Sequence, residues 1–372
     1  MIVALLGSPT RTNVQLAYAW RGLGVDARVL WPQEAADVLA LGDVAITRLD
    51  VLPTYDGIEP GLEDIKRLPE RGVRVLNQPA ALLAAHDKLL TAERLAEAGL
   101  PRPWTGHIRP GERLPDVPFP CVVKPRFGSW GQDVFRCGGA FELARTLALI
   151  ADRPWWLRHG ALVQELVGPV RSDLRVVAAG DRAVAAARRL AAEDEWRTNV
   201  TLGGTVVKAE LPAGTERLAL RATDAIGIDF ASVDLLPAEG GWVVLELNAA
   251  VDFDTRYALP GLDPYAAILE GLGIAEPGMH EAAKRGTLDL EERKEAAMAK
   301  TLQGKPARPG DEIVITGHSV GDSPRTALIL DVLGEPGHER FHVRWEDGHE
   351  SIFFPSDDAV IRRPQRRVKA KT

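Results

Sequence analysis

Apolar positions in residues 1 to about 78 fall into short unbroken runs separated by polar, helix-forming stretches. Ile2 to Leu6 is continuous, as a strand buried on both faces requires. Arg28–Leu30, Val44–Thr47 and Val73–Leu76 read as further strands, and Val14–Leu23 and Leu62–Arg71 as helices. This alternation predicts a small α/β layer domain. Its first loop, Gly7-Ser8-Pro9-Thr10, lies at a strand C-terminus, where ligands can sit, but lacks the GxGxxG pattern of a dinucleotide site. Pro79 then opens one long helix through Ala98, with proline in its first turn and Gly99 at its end. From Phe119 to about Ile274 antiparallel strand pairs alternate with helices. His280 to Gln303 reads as a charged helix, followed by the linker Gly304–Gly310. Beyond it come short β runs at Glu312–Thr316, Thr326–Val332, Phe341–Trp345 and Glu350–Phe354, separated by Gly, Asp and Pro turns, which predict a small all-β barrel. The expected division is 1–78, an N-terminal α/β domain; 79–275, the main domain; 276–309, a helical linker; 310–363, a small barrel; and 364–372, a basic tail.

One hairpin carries the clearest chemistry. Val233-Asp234-Leu235-Leu236 and Val243-Val244-Leu245-Glu246-Leu247-Asn248 flank the polar turn Ala238-Glu239-Gly240-Gly241. Glu246 and Asn248 are two apart and share a face, which Asp234 can reach from the preceding strand. Two carboxylates and an amide oxygen in apolar surroundings suit a hard divalent cation, which for Mg2+ is usually shared with substrate phosphates. The plainer alternative is an edge hairpin with a solvated polar face.

Further signals follow one another along the chain. His86, Asp87 and Lys88 lie in the long helix. Strand Val122–Pro125 carries Lys124 and leads into Phe127-Gly128-Ser129-Trp130-Gly131-Gln132, a loop able to fold backbone N–H groups over phosphates beside a lysine point charge. Val163-Gln164-Glu165-Leu166-Val167 leaves a strand for a loop, offering backbone groups to a purine edge and apolar walls to its faces. Asp173 and Arg175 share one strand. Arg188 and Arg189 sit on another, with Arg189 favoured as the inward one, because arginines on an apolar sheet face call for an anion. Trp196-Arg197-Thr198-Asn199 and Gly203-Gly204 complete the region. Taken singly, each has a plain explanation: a surface turn, a solvated strand end, a surface ion pair.

Composition narrows the function classes. With 372 residues, 45% hydrophobic and 26% charged, the chain can hold two or three domains. A formal net charge of −7 argues against general nucleic-acid affinity, and the basic run from Arg362 to Lys371 reads as a solvated tail. No stretch approaches a membrane span, and the N-terminus has no signal-peptide pattern. Two cysteines, Cys121 and Cys137, fit plain buried thiols in a reducing cytoplasm.

The ordered series, from helix lysine through strand lysine, Gly-rich loop, Glu-containing hinge, Asp-x-Arg, arginine pair and Arg-Thr-Asn to Asp…Glu-x-Asn, resembles the ATP-grasp superfamily. Within it, residues 1 to about 275 resemble the RimK/LysX-type carboxylate–amine ligases. The resemblance implies a Rossmann-like N-terminal domain, an ATP-grasp core of two α+β subdomains, and so an α/β and α+β chain. It implies ATP and two Mg2+ ions, with Mn2+ as a substitute. Lys88 and Lys124 would contact the nucleotide phosphates under a flexible loop of Gly128, Ser129, Trp130 and Gly131. Gln164, Glu165, Leu166 and Val167 would form the adenine hinge, with Asp173 near the ribose and Arg175 and Arg197 assisting. Arg189, Asn199 and Lys124 would act in catalysis at the γ-phosphate and acyl-phosphate, and Asp234, Glu246 and Asn248 would hold the metal. The activity implied joins a small-molecule or peptide carboxylate to an amine, such as glutamate, through an acyl-phosphate. The resemblance also implies a homo-oligomer, dimer or tetramer. Alternatives are a non-catalytic ATP-binding regulator and a peptide-binding adaptor led by the barrel.

Two departures stand out. Ser232 replaces the usual glycine, and Ala249-Ala250-Val251-Asp252-Phe253-Asp254 replaces the small-Pro-Gly turn that often follows the metal asparagine, on the acceptor side. The C-terminal segment resembles a domain of unknown function found mainly in actinobacteria, through Gly310-Asp311-Glu312-Ile313-Val314 and Val343–Ser351, and an SH3-like barrel is expected there. With no cysteine and no tight spacing, His318, His342 and His349 read as structural or solvated.

Overall fold

The computed structural model describes residues 1–168, 171–276, 308–315, 325–333, 340–345, 350–353 and 359–362. The chain forms two compact units, Met1–Ala283 and Lys284–Thr372. The charged helix expected at 280–303, the tail 364–372, His318 and His349 lie outside the described residues.

The first unit begins with β1 (Ile2–Leu6), α1 (Arg11–Gly22), β2 (Asp26–Leu30), α2 (Pro32–Val38), β3 (Val44–Thr47), α3 (Leu62–Arg67) and β4 (Arg74–Leu76). The strands form a parallel sheet in the order β2-β1-β3-β4. Leu5, Leu6, Leu16, Trp20 and Ile46 are buried around it, the reason Ile2–Leu6 reads as unbroken apolar sequence. Helix α3 ends earlier than expected, because Pro69 cannot continue it, and a 3-10 turn at Pro69–Arg71 follows. The seven-residue α2 escapes periodicity altogether: only Pro32 and Ala35 are buried.

The long helix expected across Pro79–Ala98 is two helices, α4 (Pro79–His86) and α5 (Lys88–Glu97). Asp87 breaks it. Its backbone leaves the helical region (φ −85°, ψ 97°), and its carboxylate caps α5 by accepting from the N–H of Leu89 at 3.1 Å and of Leu90 at 3.3 Å. The same carboxylate takes a two-pronged bond from Arg126, at 2.7 and 2.6 Å. Asp therefore acts as a cap here, and Lys88 becomes the first residue of α5.

Strands β5 (Thr105–Ile108), β6 (Cys121–Pro125), β7 (Phe135–Cys137) and β8 (Ala161–Glu165), with α6 (Ala140–Leu149) and α7 (Pro154–His159), build an antiparallel sheet in the order β5-β8-β6-β7. Cys121 lies directly opposite Cys137 on β6 and β7; both are free, fully buried thiols, and burial pushes Cys121 up to about 12.

Strands β9 (Ser172–Ala179), β10 (Arg182–Leu190), β11 (Thr205–Lys208), β12 (Phe230–Ala238) and β13 (Gly241–Asn248), with α8 (Thr215–Ile226) and α9 (Pro264–Gly271), form a second antiparallel sheet ordered β11-β10-β9-β12-β13. One face puts Leu174, Val176, Val233 and Leu235 against Ala219, Ala222 and Ile226 of α8. By the strand's period of two, the other face carries Asp173, Arg175, Arg189, Asp234 and Glu246. The polar stripe is thus set by alternation.

In the second unit β14 (Glu312–Ile315), β15 (Arg325–Leu333), β16 (Arg340–Trp345), β17 (Glu350–Phe353) and β18 (Ala359–Arg362) form an antiparallel sheet ordered β17-β16-β15-β14-β18. Ile313, Ala327, Ile329, Phe341 and Val343 make its core. No helix among the described residues is long and apolar enough to cross a membrane.

Candidate active site

The two antiparallel sheets and the start of α5 wall a solvent-open cleft. Lys124, at the end of β6, is only 6% exposed and donates to Gln164 Oε1 at 2.8 Å. Gln164 Nε2 in turn donates to Thr105 Oγ1 at 3.0 Å, fixing the amide. Burial pushes the Lys124 ammonium down to about 8, against the pull of Glu246. The hinge runs out of β8: Glu165 N–H donates to Trp104 O at 2.8 Å and Leu166 N–H to Pro120 O at 3.0 Å, while Gln164, Glu165, Leu166 and Val167 all line the cleft.

Lys88 enters from α5. Its ammonium donates to Gly128 O and lies 3.5 Å from Glu246 Oε2. The loop from Gly128 to Gly131 arches over this point, with Trp130 and Gly131 at positive φ (59° and 71°). Arg197 Nη1 donates to Gly131 O at 2.7 Å and Thr201 Oγ1 to Trp130 O at 2.9 Å. A Cβ on Gly131 would stand 2.5 Å from Asn199 Oδ1, so the glycine admits Asn199 beneath the loop.

The polar sheet face forms the floor. Arg189 is the buried member of its pair, and its Nε donates to Asp173 Oδ1 at 2.8 Å. Its Nη2 donates to Asp173 Oδ2 and, at 2.7 Å, to Asp234 Oδ2. Arg175 grips Asp234 with two bonds of 2.8 and 2.9 Å. Burial alone would raise Asp234, but the two guanidinium groups hold it far below the usual carboxylate range. Burial likewise opposes ionisation of Glu246, and the Lys88 ammonium overrides it and lowers the carboxyl. Both acids are therefore anionic at neutral pH.

Asp234 faces Glu246 across β12–β13, and Ser232 faces Asn248. Asn248 Nδ2 and Ser232 Oγ are buried without hydrogen-bond partners. Among the described residues no group of three or more His, Cys, Asp or Glu could hold a metal. Two ionised carboxylates and an amide nevertheless match the oxygen donors of a hard cation that completes its shell from phosphate oxygens. The residues fit such an ion, with Asp234 already engaged by two arginines.

Of the residues singled out from sequence, Lys88, Lys124, Gly128–Gly131, Gln164–Val167, Asp173, Arg189, Arg197, Asn199, Asp234 and Glu246 all line the cleft. Arg175 and Asn248 do not. Arg175 is spent on clamping Asp234. Sequence reasoning missed Val122, Leu236 and Leu245, which give the cleft an apolar side. Leu245 is set off by a bulge, since Glu246 pairs with Asp234 while Val244 pairs with Leu235. Nothing in an apolar run marks such a bulge.

A model of the RimK-like ATP-grasp domain matches residues 85–270, and a model of the domain of unknown function DUF1918 matches residues 306–361. The chain belongs to the RimK-like ATP-grasp family. It is an ATP-grasp carboxylate–amine ligase. A curated relative, the "Probable alpha-L-glutamate ligase" of Histophilus somni (strain 2336), is 31% identical over 229 residues, 57% of this chain and 75% of its own length. Among solved structures, a RimK domain ATP-grasp protein from Sphaerobacter thermophilus DSM 20745 is similar with TM-score 0.51 and 21% identity, over 73% of this chain and 99% of that one. The ATP-grasp ligase PsnB, complexed with a phosphomimetic variant of its minimal precursor, Mg and ADP, is similar with TM-score 0.51 and 20% identity, over 73% and 97% of the two chains. These two likenesses show that the parallel N-terminal sheet and two antiparallel sheets of this ATP-grasp ligase have the family's fold.

Proposed function

We propose that the cleft binds Mg2+–ATP and uses it to activate a substrate carboxylate, which an amine then converts to an amide. The observation that carries this is the convergence of Lys88 and Glu246, 3.5 Å apart, in a cleft that also holds Lys124, Arg189 and Asp234. A carboxylate does not react with an amine at neutral pH, because oxide is too poor a leaving group. Transfer of the γ-phosphoryl group makes an acyl-phosphate; the amine attacks its carbonyl carbon, phosphate departs, and ADP is released. Such a step needs positioning and charge neutralisation more than covalent help. Lys88, Lys124 and Arg189 offset phosphate charge, and Asn199 sits beneath the loop where the transferred group passes. Gln164 to Val167 present the hinge for adenine, with Val122, Leu236 and Leu245 as apolar walls. The loop at Trp130 keeps water from hydrolysing the acyl-phosphate. Asp234, Glu246 and Asn248 would hold up to two Mg2+ ions, with Mn2+ as a substitute, and the metal would there supply charge neutralisation for the nucleotide phosphates.

Glutamate is the first substrate to test, as acid or amine, because the relatives carry the name alpha-L-glutamate ligase. Residues 1–78 and 79–275 act as the pre-ATP-grasp and ATP-grasp domains, and the strands of 310–363 close into an SH3-like barrel that presents a peptide or carrier. The working protein is a cytoplasmic homo-oligomer, dimer or tetramer. ADP release from the full chain with a panel of amino acids and small acids tests the reading. Glu246→Ala is expected to abolish release; undiminished turnover in that variant would refute the metal assignment.

A further inference from the structure

Outside the nucleotide cleft, the carboxyl ends of β1 and β3 hold a second charged cluster. This edge is where open parallel sheets take their ligands. Arg48, directly after β3, is buried with only 2% of its surface exposed. Its Nε donates to Asn13 Oδ1 and its Nη2 to Val251 O at 2.7 Å, but its Nη1 has no partner. Asp50 and Asp252 lie within its electrostatic reach, yet neither bonds to it, and burial lowers its affinity for the proton. His86 is equally buried at the same strand end, where the Leu49 backbone hydrogen-bonds it, and its Nε2 is also orphaned.

Near Arg48 stand Asp50 and Asp252, with Glu59 beside Asp50, three acids that form no ion pair among the described residues. Each is fixed by neutral donors. Thr12 Oγ1 donates to Asp252 Oδ1 at 2.6 Å, Ser8 Oγ and Asp50 N–H donate to Glu59, and Val51 N–H donates to Asp50 Oδ1 at 2.7 Å. Glu59 and Asp50 are half-buried and Asp252 is exposed, so the cluster opens to solvent. Burial first, then the neighbouring carboxylates of Asp252 and Glu59, pushes Asp50 up to about 6. Three carboxylates against one guanidinium give the cluster a net formal charge of −2 among the described residues. A protein seldom orients uncompensated acids around a buried, half-satisfied arginine for stability alone. Nearby Asp254, by contrast, is met by Arg256 at 2.7 Å.

We infer that Asp50, Glu59 and Asp252 form the subsite for the amine substrate and select a cationic amino acid, whose side-chain ammonium they hold above the buried Arg48 guanidinium. Glutamate is then confined to the acid side of the bond. This specificity takes its meaning from the ligase reading, but its test does not depend on turnover. The full chain, saturated with Mg2+ and a non-hydrolysable ATP analogue, is titrated calorimetrically with L-lysine and with L-norleucine, its isostere lacking the ammonium. L-lysine is expected to bind at least tenfold more tightly. Glu59→Gln and Asp252→Asn, each keeping an acceptor oxygen for its donor, are expected to erase that preference while the analogue's affinity, which also reports folding, stays unchanged. Equal affinity for the two probes, absence of L-lysine binding, or an unaltered preference in both variants would overturn the inference. ADP release is measured separately. Lysine binding without ADP release from any acid–amine pair would remove the ligase reading and leave the subsite standing.

Discussion

Arg189 and Asp173 face each other across the β9–β10 ladder, with Nε 2.8 Å from Oδ1, and the same guanidinium reaches 2.7 Å to Asp234 on β12. One arginine therefore ties together a carboxylate expected near the ribose and one expected at the metal. Thr198 adds its hydroxyl to Asp173, which brings the segment bearing Arg197 and Asn199 into the same network.

Arg189→Ala should destabilise the protein as well as inactivate it. It leaves Asp173 a buried, unpaired charge, while Asp234 keeps Arg175. Breaking one side of a buried pair costs about 3 to 5 kcal/mol, and urea unfolding of the variant should show a loss of that order. Arg189→Lys should recover only part, because an ammonium cannot reproduce the two-pronged bond.

Lys124 gives nucleotide affinity a pH dependence. Its ammonium titrates at about 8 in the folded chain, below its ordinary 10.5. Below pH 8 both folded and unfolded chains carry the charge and its burial penalty is fully present; the penalty fades as pH rises from 8 toward 10.5, so Lys124's contribution to stability improves over that range. Affinity for ATP moves the other way, since loss of the proton removes a charge from the phosphates. The Kd for ATP should rise between pH 7 and 9, and Lys124→Gln should bind weakly with that rise abolished. An identical pH profile in both proteins would take Lys124 out of the phosphate site.

Asp87 separates capping from charge. Asp87→Asn keeps a good cap but loses the ion pair with Arg126, whereas Asp87→Ala loses both. The alanine variant should melt lower than the asparagine variant by the equivalent of about 1 kcal/mol. It should also raise the KM for ATP, because Lys88 is the first residue of the helix that Asp87 starts. Calorimetric melting and initial rates check both.

Gly131→Ala should act through Asn199. The added methyl would meet Asn199 Oδ1 at 2.5 Å and Leu202 Cδ1 at 2.9 Å, at a φ of 71° that disfavours any side chain. A displacement of about 1 Å in a positioned group can lower rate on the order of a hundredfold. The variant should therefore lose kcat far more than it loses thermal stability.

What could be read before the structure was periodic or compositional. Ile2–Leu6 betrays a buried strand because every position is apolar, and the hairpin of β12 and β13 betrays itself by Gly-rich turn chemistry and by Glu246 and Asn248 at a spacing of two. Arg189 stood out because an arginine in an alanine-rich strand needs an anion. The features that escaped depend on tertiary partners. Asp87 breaks a helix because Arg126, distant in sequence, fixes its carboxylate as a cap. Leu245 bulges because Asp234 and Leu235 pair around it. Arg48 reads as a loop arginine until Val251 and Asn13 bury it.

The facing cysteines of β6 and β7 supply a built-in clock. The strand that carries Lys124 begins at Cys121, and neither thiol can meet an aromatic disulfide reagent while that ladder is closed. The rate at which the chain releases colour from such a reagent thus counts openings of this one hairpin, and nucleotide that seats against Lys124 should slow the count.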